Sequence, residues 1–172
     1  MKKIVLVIAH KDYRDEEYEL TRKALEEAGI SVSVASTDIS DAEGVKGGSA
    51  KVDILLREVE ADNFDGIAFI GGPGSKNYMG HAVASNLARE FMSKEKIVGA
   101  ICFAPAILAE AGILSGKKAT GWESDNVPEI IERGGGIYVD EPVVADGVVV
   151  TAIGPSSSVN FGKELSRLLV NQ

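Results

Sequence analysis

Five short runs of β-branched and other apolar residues recur along the chain, and they limit the folds that it can adopt. The runs are IVLVIA (4–9), SVSVAS (31–36), GIAFIG (66–71), KIVGAI (96–101) and VVVTAI (148–153). Several are apolar on both faces, which is typical of strands that helices cover on both sides of a parallel sheet. The sequence therefore predicts a set of buried parallel strands.

Helical patterns of apolar residues lie between these runs. They cover 20–28, closed by a glycine C-cap, then 79–91, 104–111, 127–133 and a last segment around 165–169. This alternation predicts an α/β fold with an open, doubly wound, mostly parallel sheet.

Two segments depart from the alternation of strands and helices. Residues 42–54 are rich in glycine and predict a small β excursion, and Asp146-Gly147 between apolar runs predicts a hairpin.

Length and charge exclude several classes of function. A chain of 172 residues with 45% hydrophobic content is expected to form one domain, residues 1–172. Its 26 acidic and 18 basic side chains give a net charge of −8, which opposes nucleic acid and anionic membrane. The first apolar run is short and lacks a cleavage site, so it predicts a strand and not a signal peptide. No run approaches the roughly 20 residues that span a bilayer.

The chain contains one cysteine, Cys102, directly after the run KIVGAI and before a helical pattern that begins with Pro105. One interpretation is a small buried apolar residue, which is how most free cysteines behave. The other is a nucleophile on a sharp turn between a strand and a helix, where free amides at the helix start favour the thiolate. A lone cysteine forms no internal disulfide, so a cytoplasmic location is expected.

A glycine pair and a group of acids accompany this cysteine. Gly71-Gly72 ends another strand, and its amides either approach a ligand or form an ordinary tight turn. The loop lacks the third glycine of G-x-G-x-x-G, so nucleotide binding is weakly supported. Acids at 15–17 begin the first helix, where the helix dipole favours them, but one of these carboxylates could point toward Cys102.

Together these features resemble the PfpI-type superfamily, which has a flavodoxin-like, class I glutamine-amidotransferase-like fold. The matching stretches are DEEYELTRKALEEAGISVSVAS, the GG loop, GAICFAP and the closing GP-SSS-VNF, in the family's order over nearly the whole chain. The resemblance implies a three-layer sandwich and a reactive cysteine at Cys102. It implies a glutamate beside the sulfur at Glu17, with Glu16 as the alternative, and oxyanion donors at the amides of Gly72 and Phe103, beside Gly71.

We predict that Glu17 is neutral and that it faces an ionised Cys102 near neutral pH, because an ionised carboxylate would repel the thiolate.

The chain also departs from the family pattern. Phe103 stands where members described as proteases carry histidine. Lys76 stands near the position of an acidic residue that those members contribute from a neighbouring subunit. Trp122 lies near the position of a histidine in deglycase-type members. Without a histidine base, peptide hydrolysis has no evident proton shuttle. Trp122 is a candidate for the pocket wall, or else a core or subunit-contact residue.

The two histidines leave alternatives open. His10 ends the first strand and either faces the site or lies in a solvated loop, and His81 is expected one turn into a helix, in a structural or surface role. These scattered residues do not predict a metal site, and no cofactor is expected.

The leading functional expectation is a cysteine-dependent enzyme for reactive carbonyls or their adducts, of glyoxalase or deglycase type. Its substrate would be a small carbonyl compound or a peptide-derived adduct, with no nucleic acid or membrane partner. The alternatives are a redox-sensing stress protein or chaperone with an oxidisable cysteine, and an intracellular cysteine peptidase. The resemblance also implies a homodimer or a higher homo-oligomer.

Overall fold

A computed structural model describes all residues, 1–172. The strands are β1 (Lys3–Val7), β2 (Lys11–Tyr13), β3 (Ser31–Ser36), β4 (Ala42–Gly44), β5 (Ser49–Ala50), β6 (Ile54–Leu55), β7 (Gly66–Phe69), β8 (Ile97–Ile101), β9 (Lys118–Ala119), β10 (Ile137–Tyr138), β11 (Val143–Asp146) and β12 (Val149–Ala152). The helices are α1 (Asp15–Glu27), α2 (Ala82–Ser93), α3 (Pro105–Glu110), α4 (Val127–Arg133) and α5 (Ser158–Asn171).

Seven strands form the central sheet in the order β11-β12-β8-β7-β1-β3-β6. All neighbours are parallel except β11 and β12, which form the antiparallel hairpin predicted at Asp146-Gly147. Every residue of β8 is buried, as expected for a strand that is covered on both faces. The fold class predicted from the sequence, an α/β fold with a mostly parallel sheet, is confirmed.

The helices form two groups. Helices α1 and α5 pack against each other, and α5 also packs on β8 and β12; α2 and α3 pack on β8, with α2 also on β7. The chain passes from β1 through α1 to β3 on one side, and from β7 through α2 to β8 on the other side. Because crossovers between parallel strands are right-handed, α1 and α2 lie on opposite faces of the sheet. A continuous core of 51 buried residues results.

Two local features differ from, or add to, the sequence predictions. The helix expected from Met79 begins only at Ala82, because Gly80 adopts a left-handed conformation with φ of 65°. His81 is therefore not inside the helix. It is the N-cap of α2, and its Nδ1 atom accepts a hydrogen bond from the Ala84 amide at 3.3 Å.

The glycine-rich segment, residues 42–54, forms the predicted β excursion, since β4 and β5 pair with each other and β4 pairs with β2.

None of the five helices combines the length and the apolar character that crossing a bilayer requires.

Candidate active site

Cys102 lies at the carboxyl end of β8, three residues before α3 begins at Pro105. Its φ angle is 63°, in the left-handed region that non-glycine residues rarely adopt. Two backbone hydrogen bonds hold it there. Its amide donates to the Ala152 carbonyl at 2.9 Å, and its own carbonyl accepts from the Trp122 amide at 2.7 Å. Neighbouring segments thus impose the strained turn on which the thiol sits.

Glu17 lies in the first turn of α1 and is completely buried. Its Oε2 atom accepts a hydrogen bond from the Gly71 amide at 2.8 Å. A β-carbon at Gly71 would stand 2.6 Å from that oxygen and 2.7 Å from the Cys102 β-carbon. The absence of a side chain at Gly71 therefore lets the carboxyl of Glu17 approach the thiol of Cys102.

The second carboxyl oxygen of Glu17, Oε1, is buried without a hydrogen-bond partner of acceptable geometry. Besides the Gly71 amide, the Cys102 thiol interacts with this carboxyl. Because a buried polar atom without a partner is costly, this oxygen is a favourable position for a proton.

The two groups affect each other's ionisation. Burial raises the pKa of Glu17 to about 8, despite the opposing effects of Cys102, the Gly71 amide and Arg14. Burial also raises the pKa of the Cys102 thiol, and the neighbouring Glu17 carboxyl raises it further, whereas the Phe103 amide and Arg14 lower it. The predicted neutral Glu17 agrees with this direction. The predicted resting thiolate does not, because the sulfur is buried beside an acid.

Gly72 and Phe103 line the same pocket as Cys102, and neither of their amides donates to a backbone carbonyl. Gly72 has a φ of 104°, and a β-carbon there would stand 2.7 Å from the Asp12 carbonyl oxygen, so a glycine is required. Gly71, which we grouped with the ligand-binding amides, differs. Its amide donates to Glu17 and its carbonyl accepts from the Arg14 amide at 3.1 Å, so it supports the carboxyl and cannot donate to a substrate.

A pocket of about 100 Å³ opens over the sulfur. Trp122 forms part of its wall, as do Phe103 and three charged residues that sequence reasoning did not assign to it. These are Arg14, Lys76 and Asp125.

The charged residues differ in their pairing. Lys76 and Asp125 form an ion pair at 3.2 Å, and the Lys76 ammonium lies 5.4 Å from the centre of the Phe103 ring. The Arg14 Nε atom is buried without a partner. Arg14 directly precedes the acids of α1, which was the one sequence signal for its position.

The other candidates lie elsewhere. Glu16 forms an ion pair with Lys46, so Glu17 and not Glu16 reaches the cysteine. His10 lines a different cavity, and its Nε2 atom lies 3.4 Å from the Ser40 hydroxyl, because the chain turns into β2 directly after this residue. The structure brings no group of three or more His, Cys, Asp or Glu side chains together in a way that could hold a metal ion.

The fold and this site define a class of protein, the doubly wound α/β proteins with a cysteine on a turn between a strand and a helix and a buried glutamate beside it. The sequence profile of the DJ-1/PfpI family matches residues 2–168, and the chain belongs to that family.

Individual relatives agree with this assignment. The chain is 39% identical to an uncharacterised protein of Methanocaldococcus jannaschii over 97% of this chain and 82% of that protein. It is 30% identical to a deglycase of Pyrococcus horikoshii over 96% of this chain and 98% of the deglycase. The crystal structure of a ThiJ/PfpI domain protein from Brachyspira murdochii superposes with a TM-score of 0.95 at 34% identity, covering 99% of this chain and 97% of that one.

Proposed function

We propose that this protein is a cysteine-dependent enzyme that acts on small reactive carbonyl compounds or their adducts, with glyoxalase or deglycase chemistry. The observation that carries the proposal is the pairing of the buried Glu17 carboxyl with Cys102 under a small pocket lined by Gly72 and Phe103, whose amides donate to no backbone carbonyl. A relative at 30% identity is named a deglycase, which supports the same class of substrate.

The first chemical step is the attack of the Cys102 sulfur on the carbonyl carbon of the substrate. A C–S bond forms, the carbonyl π bond breaks, and the oxygen takes up the electron pair. The amides of Gly72 and Phe103 can donate to this oxygen. Glu17 accepts the thiol proton and delivers it to the oxygen, which gives a neutral hemithioacetal.

Proton transfer through Glu17 makes the reaction depend on pH. Glu17 and Cys102 together must lose one of their two protons before the sulfur can attack. Because the two groups titrate as a coupled pair, the remaining proton is shared between them. Because burial raises the pKa of Glu17 to about 8, this first loss occurs near pH 8. We therefore expect kcat/KM to rise between pH 7 and pH 9.

The size of the pocket favours a small substrate. Its volume of about 100 Å³ equals that of roughly three water molecules in the liquid. Methylglyoxal is of this order, whereas a peptide would have to lie outside. The pocket contains no histidine, and Phe103 occupies the position next to the nucleophile, so peptidase activity is the weakest of the three candidate activities.

The decisive experiment measures the consumption of methylglyoxal and the formation of lactate by the purified protein. Cys102→Ser should lower kcat/KM at least about 100-fold, because the alcohol is a far poorer nucleophile at this position. Glu16→Gln is the matched control, since Glu16 pairs with Lys46 and leaves the thiol alone. Turnover that persists in Cys102→Ser would contradict the proposal, provided that circular dichroism shows both variants folded.

One observation also supports a redox role for the same residues. The sulfur borders an open pocket, and the Glu17 carboxyl with its raised pKa can donate a hydrogen bond to an oxygen of a cysteine sulfinate. Mass spectrometry after mild peroxide treatment distinguishes the two functions. Complete oxidation of Cys102 in a protein that does not consume methylglyoxal would favour the sensor.

The proposal includes a homo-oligomer in a reducing, cytoplasmic environment, because the chain carries an unpaired thiol and exposes apolar side chains on neighbouring elements. Leu20 on α1 and Val159 on α5 are 38% and 40% exposed. Multi-angle light scattering of the purified protein measures the number of chains. A strictly monomeric protein would contradict this part.

A further inference from the structure

A second hollow lies at the carboxyl edge of the sheet, apart from the cysteine pocket. Along the chain the strands run outward from β1 to β3 and β6, and then return to β7 on the other side of β1. The order therefore reverses between β1 and β7. In doubly wound folds, the crevice beyond the strand ends at such a reversal is the usual position of a ligand.

A cavity of about 230 Å³ occupies this position, and a second of about 250 Å³ adjoins it beyond the ends of β3 and β6. The two share Thr37 and His81 as lining residues. We refer to them together as the switch-point groove. His10 and Lys11, which follow β1, line the first cavity, and Arg57 lines the second. The groove shares no lining residue with the cysteine pocket.

The charge of the groove is opposite to that of the chain. Among its lining residues are two histidines, a lysine and an arginine, and there is no aspartate or glutamate. The whole chain carries 26 acidic and only 18 basic side chains, so the sign of this lining is opposite to that of the net charge. A hollow bordered by basic groups alone favours an anionic occupant.

The lysine and the arginine of the groove have no partners within the protein. Neither Lys11 nor Arg57 takes part in any of the ion pairs. The Asp38 carboxylate near His10 accepts hydrogen bonds from the amide and the hydroxyl of Ser40 and does not line the groove. An anion that entered the groove would therefore not have to displace a carboxylate.

Uncharged donors complete the lining. The Nδ1 atom of His81 accepts from the Ala84 amide, so in the neutral ring the proton is on Nε2, which makes no hydrogen bond. The side-chain amide of Asn77 lies on the same lining. Donors of this kind recognise phosphate and carboxylate oxygens.

We propose that the switch-point groove binds a small organic oxyanion, a phosphomonoester or a carboxylate of a few carbon atoms, at a site distinct from the cysteine pocket. The groove supplies cationic groups at its edge and neutral N–H donors inside. The two cavities together are of the size that small-molecule sites show. The site does not depend on the chemistry of Cys102, so it can exist whether or not the protein turns over carbonyl compounds.

A nuclear magnetic resonance titration of the ¹⁵N-labelled full chain at low salt tests the proposal. The probes are glycerol 3-phosphate, succinate and uncharged glycerol. We expect saturable shifts of the Thr37, Asn77 and His81 amides with at least one of the two anions and none with glycerol. Glycerol 3-phosphate and succinate separate a phosphate preference from a carboxylate preference. Equal shifts with glycerol, or no saturation by either anion at millimolar concentrations, would overturn the proposal.

Variants locate the site. Arg57→Gln and Lys11→Gln should each weaken anion binding about tenfold, which corresponds to one lost charged hydrogen bond. Lys23→Gln, an exposed lysine on α1, is the matched control and should bind as the native protein does. Arg14→Gln removes the unpaired cation of the cysteine pocket. A loss of binding in Arg14→Gln with no change in Arg57→Gln would place the anion over Cys102 and contradict the assignment.

Discussion

The carboxyl of Glu17 lies beside the thiol of Cys102 because the residue between them, Gly71, has no side chain. Its amide holds one carboxyl oxygen at 2.8 Å, and a β-carbon there would stand 2.6 Å from Glu17 and 2.7 Å from Cys102. Three segments that are far apart in the sequence therefore meet at one point. This arrangement leads to predictions that can be measured independently of one another.

The buried Glu17 should make the protein less stable as the pH rises. In the unfolded chain this carboxyl loses its proton near its ordinary pKa of 4.5, whereas in the folded protein it keeps the proton up to about pH 8. Between these values unfolding releases a proton, so the free energy of unfolding falls with rising pH, by on the order of 3 to 5 kcal/mol in total. Below pH 4.5 both states are protonated and no loss occurs.

Urea denaturation of Glu17→Gln at pH 5 and pH 8 measures this effect. The variant should lose the decline and should exceed the native protein in stability at pH 8 by several kcal/mol, with a much smaller difference at pH 5. Glu16→Gln is the control, since the hydrogen bond from Lys46 lowers the pKa of Glu16. Parallel pH curves for the native protein and Glu17→Gln would contradict the burial of an acid with a raised pKa.

Gly71→Ala should reduce both stability and activity through steric contact. The added methyl would also stand 2.8 Å from the Ile101 carbonyl oxygen, which is backbone and cannot rotate away. We expect a loss of about 1–3 kcal/mol in the free energy of unfolding and a separation of Glu17 from Cys102. Thermal denaturation and methylglyoxal turnover measure the two effects. In the control, Gly29→Ala, the new methyl has no neighbour within 4 Å, so activity should remain although the φ of 77° is strained.

Asp15 should stabilise the loop between β4 and β5. Its carboxylate is buried and accepts the amides of Lys46 and Gly48, both at 2.8 Å. Burial acts to raise its pKa, but these hydrogen bonds outweigh it and the pKa is lowered. Asp15→Ala should cost about 2 kcal/mol at pH 7, because two amides lose their partner. The stabilisation should disappear in the native protein as the carboxylate is protonated at low pH, and a loss in Asp15→Ala that is the same at pH 7 and pH 3 would argue against this role.

The ion pair between Lys76 and Asp125 should influence substrate choice more than stability. Both side chains are about half exposed, so the pair should contribute less than about 1 kcal/mol to folding. Asp125→Asn would leave Lys76 unpaired beside Arg14 at the pocket. We expect the ratio of kcat/KM for glyoxylate, an anion, to that for methylglyoxal to rise several-fold. Lys76→Met should shift the ratio the other way, and a ratio that neither variant moves would exclude Lys76 from the substrate site.

Much of the fold followed from local patterns. Apolar runs such as Ile97–Ile101 predicted buried parallel strands because only such strands are apolar on both faces, and Asp146-Gly147 predicted the hairpin because a tight turn needs residues of this kind. The helix start expected near Met79 was wrong, since the conformation of Gly80 stops the helical pattern before Ala82.

The sequence by itself determined that Cys102 lies between a buried strand and a helix, since that depends on neighbouring residues alone. Only the tertiary structure decided that Glu17, and not Glu16, faces the sulfur, that Arg14 lines its pocket, and that His10 lies elsewhere. The raised pKa of the Cys102 thiol also comes from tertiary packing. Burial and the distance to another charge depend on how separate segments pack in space, and no local pattern encodes them.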